Sequence, residues 1–197
     1  KKQKDSDYFL YVTNSQMVTK NQKINEEFTG MCGKNATFDV YNKTLLISGT
    51  GSISDYSETS QSPWINNSSN INYVLIINGI TQIGSYSFYN CSNLHSINIP
   101  ESIISIGESA FYNCISLETI TIPSKVTIIK YGSFANCASL NSVLFLGNLT
   151  EIGIYAFCNC SKLKSITIPE SVKSIGSGAF EHCIYLQTLI IPKKVTS

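Results

Sequence analysis

The sequence predicts a repeat solenoid, a stack of short coils that carries parallel β-strands. The first observation is a spacing of 23 residues between five of the seven cysteines, from Cys91 to Cys183. The second is that phenylalanine, leucine and isoleucine columns keep the same step, beginning at Phe88, Leu94 and Ile83. Because one such unit buries little apolar surface alone, each coil must complete its core against its neighbours.

Each repeat unit divides into three segments. Residues 94–99 alternate apolar and polar side chains, which predicts a short strand that ends at Pro100. Residues 103–106 predict a second short extended run before Gly107. Residues 108–113 are helix-tolerant and predict a short helical turn. Counting back one period from Leu94, residues 71–76 match the strand template, which gives six strand positions.

The N-terminal part of the chain lacks the repeat and predicts a cap. Residues 31–70 are expected to contain a β-hairpin, with Asn42-Lys43 as its turn and Trp64 packed over the first coil. Residues 71–197 are expected to form about five to six coils with an uncapped C-terminus. Residues 1–30 are polar and non-repetitive, which predicts a tail or linker.

Three motifs resemble the leucine-rich-repeat family, and more narrowly its BspA-like, or Treponema-type, class. They are LKSITIP at 163–169, SIGSGAFEHC at 174–183, and the CGxN…LxISGxGxIxDY…PW pattern at 32–64. The resemblance implies a right-handed superhelix of parallel β-strands and short helical turns, with an N-terminal β cap. It also implies surface proteins of bacteria and parasitic protists that act in adhesion and protein binding, without catalysis.

Composition narrows the classes of partner. The formal net charge is +1, and all 14 basic residues are lysine. Arginine supplies the bidentate fork for phosphate and guanine, so its absence argues against nucleic acid as a partner. No apolar run has the roughly 18 residues that membrane insertion requires.

The cysteines and histidines predict structural roles. The repeated cysteines are interpreted as a ladder of buried thiols, although Cys158-x-Cys160 leaves a metal site as the alternative. An odd total of seven favours reduced thiols. His95 and His182 lie in no catalytic motif, so neither an enzyme activity nor a cofactor or metal is expected.

A column of asparagines precedes the repeated cysteines, at Asn90, Asn113, Asn136 and Asn159. Side-chain amides at bends satisfy backbone groups, so this column is also interpreted as structural.

The outward side chains of the predicted strands form the candidate binding face. Two columns follow from the alternation: Ser96, Thr119, Ser142, Ser165 and Thr188, and Asn98, Thr121, Leu144, Thr167 and Ile190. The face is uncharged and rich in hydroxyl groups, which suits a protein or glycan partner; a solvated face without a partner is the alternative. Lysines 162, 164, 173, 193 and 194 make the C-terminal half basic, which can attract acidic partners or simply aid solubility.

The function expected from these features is a non-catalytic protein-binding module. The resemblance favours a cell-surface or extracellular adhesion protein that binds a host or neighbouring-cell protein or glycan. The odd cysteine count and the lack of an export signal favour the alternative, a cytoplasmic leucine-rich-repeat scaffold or regulatory protein. The uncapped C-terminal end offers an edge for homo-oligomer formation.

Overall fold

A computed structural model describes residues 11–13, 16–18 and 28–197. Most of the predicted tail at residues 1–30 lies outside the described residues. Within it, β1 (Tyr11–Thr13) and β2 (Gln16–Val18) pair antiparallel.

An antiparallel sheet that contains the predicted β-hairpin forms the N-terminal end of the repeat stack, and its first strand includes residues 28–30 of the predicted tail. Strand β3 (Phe28–Met31) pairs with β4 (Asn35–Tyr41), which pairs with β5 (Thr44–Ser52). Asn42 and Lys43 turn the chain with φ angles of 43° and 64°. Two successive left-handed residues give the strands of a tight hairpin the twist that pairing requires.

Strand β5 joins the hairpin to the first coil. Its first half pairs in parallel with β6 (Tyr73–Ile76), and its end pairs in parallel with β7 (Ile80–Ile83). The 3-10 helix Ile65–Asn70 precedes β6. One strand therefore serves as hairpin partner and as the first rung of two parallel series.

Two series of short strands run along the stack. The first series comprises β6, β8 (Ser96–Asn98), β10 (Thr119–Ile122), β12 (Ser142–Phe145), β14 (Ser165–Ile166) and β16 (Thr188–Leu189). The second comprises β7, β9 (Ser105–Ile106), β11 (Ile128–Ile129), β13 (Glu151–Ile152) and β15 (Ser174–Ile175). The pairs are parallel and join residues one repeat apart, such as Thr119 with Ser142. The six strand positions and the second extended run are confirmed.

The third side of each coil consists of turns rather than the predicted short helix. Two left-handed residues bound each turn segment, and both recur every 23 residues: Tyr86, Ser109, Gly132, Tyr155 and Gly178, then Asn90, Asn113, Asn136, Asn159 and His182. Between these two residues, successive backbone N–H groups donate in turn to the same coil and to the next coil. Tyr89 N–H donates to Tyr86 O in its own turn, whereas Phe88 N–H donates to Ala110 O in the next coil. The helix-tolerant residues do not form a helix, because every second backbone N–H group donates to the neighbouring coil instead of within its own segment.

Aromatic rings form one continuous column through the core. Trp64 stacks on Phe88 at a centroid distance of 5.6 Å, and Phe88 stacks on Phe111 at 5.1 Å. The column continues through Phe134 and Phe157 to Phe180. The indole N–H of Trp64 donates to Ser87 O at 2.9 Å. Trp64 packs over the first coil as predicted.

Candidate binding surface

The predicted binding face is the outward side of the first strand series. All ten predicted residues are exposed, since side chains alternate across each strand while Ile120 and Ile122 point into the core. Exposure is what a contact surface requires.

Strand register arranges these residues in rows. Thr119 lies beside Ser142, and Thr121 lies beside Leu144, in parallel pairs of β10 and β12. Ser165 lies beside Thr188 in β14 and β16. Because rows in a parallel sheet are about 4.8 Å apart, the two columns form an extended surface rather than separate sites.

Where neighbouring strands of the first series are not paired along their length, single backbone hydrogen bonds join their coils. Glu118 N–H donates to His95 O at 3.2 Å between the coils of β8 and β10. Lys162 N–H donates to Ala138 O at 3.2 Å between the coils of β12 and β14. The six strand positions therefore share one face.

Three large apolar or aromatic side chains lie on this otherwise hydroxyl-rich surface. Leu144 is 53% exposed, and Ile190 is 73% exposed. Tyr73, at the start of β6, lies beside Ser96 and is also exposed. The sequence prediction missed Tyr73, although it stands one period before Ser96 and the repeat alone could have identified it.

A shallow open groove of about 640 Å³ lies at the edge of this face. Asn141, Lys162, Lys164, Ser165 and Tyr185 line it. Of these, only Ser165 belongs to the predicted face. The groove spans three coils. Tyr185 lies one period after Lys162, in the next coil, and Asn141 lies one period before Lys164, in the preceding coil.

The five repeated cysteines form the predicted ladder of buried thiols. The Cys114, Cys137, Cys160 and Cys183 thiols each donate to a phenylalanine carbonyl of the preceding coil, at 3.1–3.2 Å. Desolvation raises the pKa of Cys91 and Cys137 to about 12. Thiols with such pKa values stay protonated at neutral pH and make poor nucleophiles or metal ligands.

The alternative of a metal site at the cysteines has no geometric support in the part of the chain that the structure describes. There, no group of three histidine, cysteine or acidic side chains converges on one point. His95 lies on the surface, with Nδ1 2.7 Å from Asn93 O. His182 lies 3.4 Å from the Glu181 carboxylate, and both are exposed. The expected lack of cofactor and metal remains a prediction.

The asparagine column is structural, but its contacts differ from the prediction. The side-chain amide of Asn113 donates to Asn90 Oδ1 at 2.8 Å, and Asn159 donates to Asn136 Oδ1 at the same distance. The four residues have φ near 60°. Asparagine is favoured here because it tolerates the left-handed conformation and bonds its neighbour in the stack.

The repeats of this chain match one known protein family. The BspA type leucine rich repeat region matches residues 61–187 in six copies. The chain belongs to the BspA type leucine-rich-repeat family. This family supports a repeat protein that acts as a binding module, and its members are typically surface proteins that are generally non-catalytic.

Solved structures support the same fold for this BspA type chain. It is similar to a leucine-rich repeat protein from Bacteroides ovatus, with 23% identity, a TM-score of 0.64, and coverage of 89% of this chain and 54% of that one. For a leucine rich cell surface protein from Faecalibacterium prausnitzii, the identity is 25%, the TM-score 0.65, and the coverage 88% and 50%. A leucine rich repeat protein from Treponema pallidum is also similar, with 28% identity and a TM-score of 0.58. That match covers 78% of this chain and 67% of the Treponema chain.

The chain spans about half the length of the first two of these structures. A comparison with curated proteins finds no match to it. Within the described residues there is no helix with the length and apolarity that crossing a bilayer requires.

Proposed function

We propose that this chain is the binding module of a cell-surface adhesion protein. Its ligand is a host or neighbouring-cell protein or glycan, and the outward face of the first strand series makes the contact. The observation that carries the proposal is the register of that face. Ten exposed side chains from successive coils lie in two parallel columns.

The packing of the interior favours a function that uses the outer face of the solenoid. Phenylalanine rings fill the centre of each coil, and buried thiols donate to backbone carbonyls beside them. Side chains therefore occupy the interior of the coils, and the outer face is what a partner can reach. A solenoid of this kind acts through its extended surface.

The chemistry of the face suits macromolecular contact. Hydroxyl and amide groups of Thr119, Thr121 and Asn98 offer hydrogen bonds, and the exposed Leu144 and Tyr73 offer apolar area. Interfaces combine an apolar or aromatic anchor with a polar surround. The F. prausnitzii relative, described as a cell surface protein, supports the proposed location.

One observation favours the second candidate, an intracellular scaffold. All seven cysteines are free thiols, which is the usual state in a reducing compartment. However, burial protects six of them, and buried protonated thiols react slowly with oxidants. The free thiols are therefore compatible with an oxidising environment, and the surface location remains the proposal.

Surface biotinylation of intact native cells tests the location. Cells are treated with a membrane-impermeant amine reagent, and the chain is detected in the streptavidin fraction and in the unlabelled lysate. A cytosolic enzyme serves as the control for cell integrity. Labelling of this chain without the control supports the adhesion protein; its recovery in the unlabelled lysate alone supports the scaffold and contradicts the proposal.

A further inference from the structure

Charge is segregated along the chain. Residues 44–124 contain five acidic side chains and no lysine, whereas residues 125–197 contain seven lysines and three glutamates. Since sequence order follows coil order in a solenoid, the N-terminal coils are acidic and the C-terminal coils are basic. An anion approaching the molecule is therefore attracted to the C-terminal coils.

The groove lined by Asn141, Lys162, Lys164, Ser165 and Tyr185 lies in this basic half. Lys162 and Lys164 flank the inward-pointing Leu163, so both side chains lie on the outer surface. Neither lysine forms an ion pair within the described residues. Two ammonium groups are therefore free to bind an anion.

The other groove residues add polar and aromatic contacts. Tyr185 is 59% exposed, so its ring is open to a ligand. Asn141 supplies an amide and Ser165 a hydroxyl, and both residues are exposed.

We propose that this groove binds an acidic glycan, with Lys162 and Lys164 pairing with a carboxylate or sulfate and Tyr185 stacking on a sugar ring. The inference rests on the proposed function and specifies one ligand class for the same face, because Ser165 belongs to both. It goes beyond the family match, which identifies no ligand and no ligand-binding residue.

The observations favour a glycan over an acidic peptide. Pyranose rings present a flat face of C–H groups that packs on an aromatic ring, and their hydroxyls bond amide and hydroxyl side chains. The exposed Tyr185 lines the same groove as Asn141 and Ser165, so the groove provides these contacts. A short acidic peptide would need the lysines but has no comparable use for an exposed ring.

Titration calorimetry of the whole chain with defined probes tests the inference. The probes are a heparin oligosaccharide bearing sulfates, a hyaluronan oligosaccharide bearing carboxylates alone, neutral chitohexaose, and hexaglutamate. The groove variants are the double variant K162Q/K164Q and the single variant Y185A. The matched controls are K193Q/K194Q, which removes the same charge outside the groove, and Y131A, which removes an exposed tyrosine on another side. Circular dichroism checks that each variant folds.

We expect at least one acidic oligosaccharide to bind, and K162Q/K164Q to weaken it by about tenfold or more. Y185A should weaken it by about fivefold, and both controls should bind within about twofold of the native chain. Heparin and hyaluronan then distinguish a sulfate from a carboxylate ligand.

Three results would overturn the inference: no binding of either acidic oligosaccharide, equal binding of chitohexaose, or binding of hexaglutamate that Y185A leaves unchanged. The last result would identify an acidic peptide as the ligand. Failure here is distinguishable from failure of the adhesion proposal, because surface labelling does not depend on the groove and glycan titration does not depend on cellular location.

Discussion

The rings of Phe111 and Phe134 stack at a centroid distance of 5.2 Å, with their planes only 4° from parallel. These residues are one repeat apart, and both are fully buried. The thiol of Cys137 donates to the carbonyl of Phe111 across the same boundary between coils. Each coil therefore receives a ring contact and a hydrogen bond from the next, which makes the stack, rather than the single coil, the stable unit.

Truncation of the central ring should destabilise the stack. Phe134→Ala removes a fully buried ring between two stacked neighbours, so the free energy of unfolding should fall by about 3–5 kcal/mol. Leu144→Ala, on the exposed strand face, is the control and should change it by less than about 0.5 kcal/mol. Urea unfolding followed by circular dichroism measures both. Equal small effects at the two sites would contradict the stacked core.

Alkaline pH should destabilise the protein through its buried thiols. Desolvation raises the pKa of Cys137 to about 12, so the folded chain keeps a proton that the unfolded chain releases near pH 9. The thiol's contribution is therefore complete below the unfolded pKa, and it is lost as pH rises from about 9 towards 12. Each such thiol should lower the unfolding free energy by about 1.4 kcal/mol per pH unit in that window.

Urea unfolding at a series of pH values from 8 to about 10.5 measures this slope. The unfolding free energy of Cys137→Ala should fall less steeply with pH than that of the native chain, because the variant has one buried thiol fewer. This difference in slope is expected whatever the stability of the variant at pH 8. A variant slope equal to the native slope would show that Cys137 does not hold its proton in the folded state.

Thiol accessibility should distinguish Cys158 from the other six cysteines. Cys158 is partly exposed, whereas Cys32 and the five ladder cysteines are buried. In native buffer, Ellman's reagent should modify Cys158 first, and urea should release all seven thiols. Cys158→Ser should abolish the rapid native phase. Rapid modification of several thiols in the native protein would contradict the sealed ladder.

The asparagine column offers a test that separates backbone from side-chain effects. Asn136 has a φ of 60° and accepts a hydrogen bond from Asn159. Asn136→Ala loses the amide and strains the backbone, so it should cost about 2 kcal/mol of unfolding free energy. Asn136→Gly loses the amide alone and should cost about 1 kcal/mol less than the alanine variant.

Asn148→Ala, at an exposed residue outside the column, is the control for these two variants and should be nearly neutral. If glycine at residue 136 proves no better than alanine, the left-handed backbone is not what selects asparagine there. Urea unfolding of the four proteins decides this.

Most of the fold could be predicted because the repeat reports the packing several times over. Each core column, such as the one containing Phe134, recurs at a fixed step and survives variation in any single copy. The hairpin turn at Asn42-Lys43 was also predictable, since asparagine tolerates left-handed φ and the turn joins two runs of alternating apolar residues. The short helix was wrongly predicted because intrinsic propensity does not report bonds between coils.

The left-handed column that begins at Tyr86 shows why the turn was missed. It contains tyrosine, serine and glycine at equivalent positions, so residue type alone does not reveal a shared conformation. Tyr185 was missed for a related reason. It lies outside the strand template, and its position beside Lys162 and Lys164 follows only when the coils are stacked.

The most direct test of the proposed function is a binding measurement. The labelled chain is titrated onto the host or neighbouring cells, and onto the extracellular matrix, that the native cell touches. Thr121→Glu/Leu144→Glu places two charges on the strand face. Thr127→Glu/Ile128→Glu places two charges elsewhere, on the exposed Ile128 of β11 in the second series and on the exposed residue just before it. The proposal predicts saturable binding that the first variant weakens by about tenfold or more, while the second stays within about twofold of the native chain. Equal binding by both variants, or no saturable binding by the native chain, would contradict it.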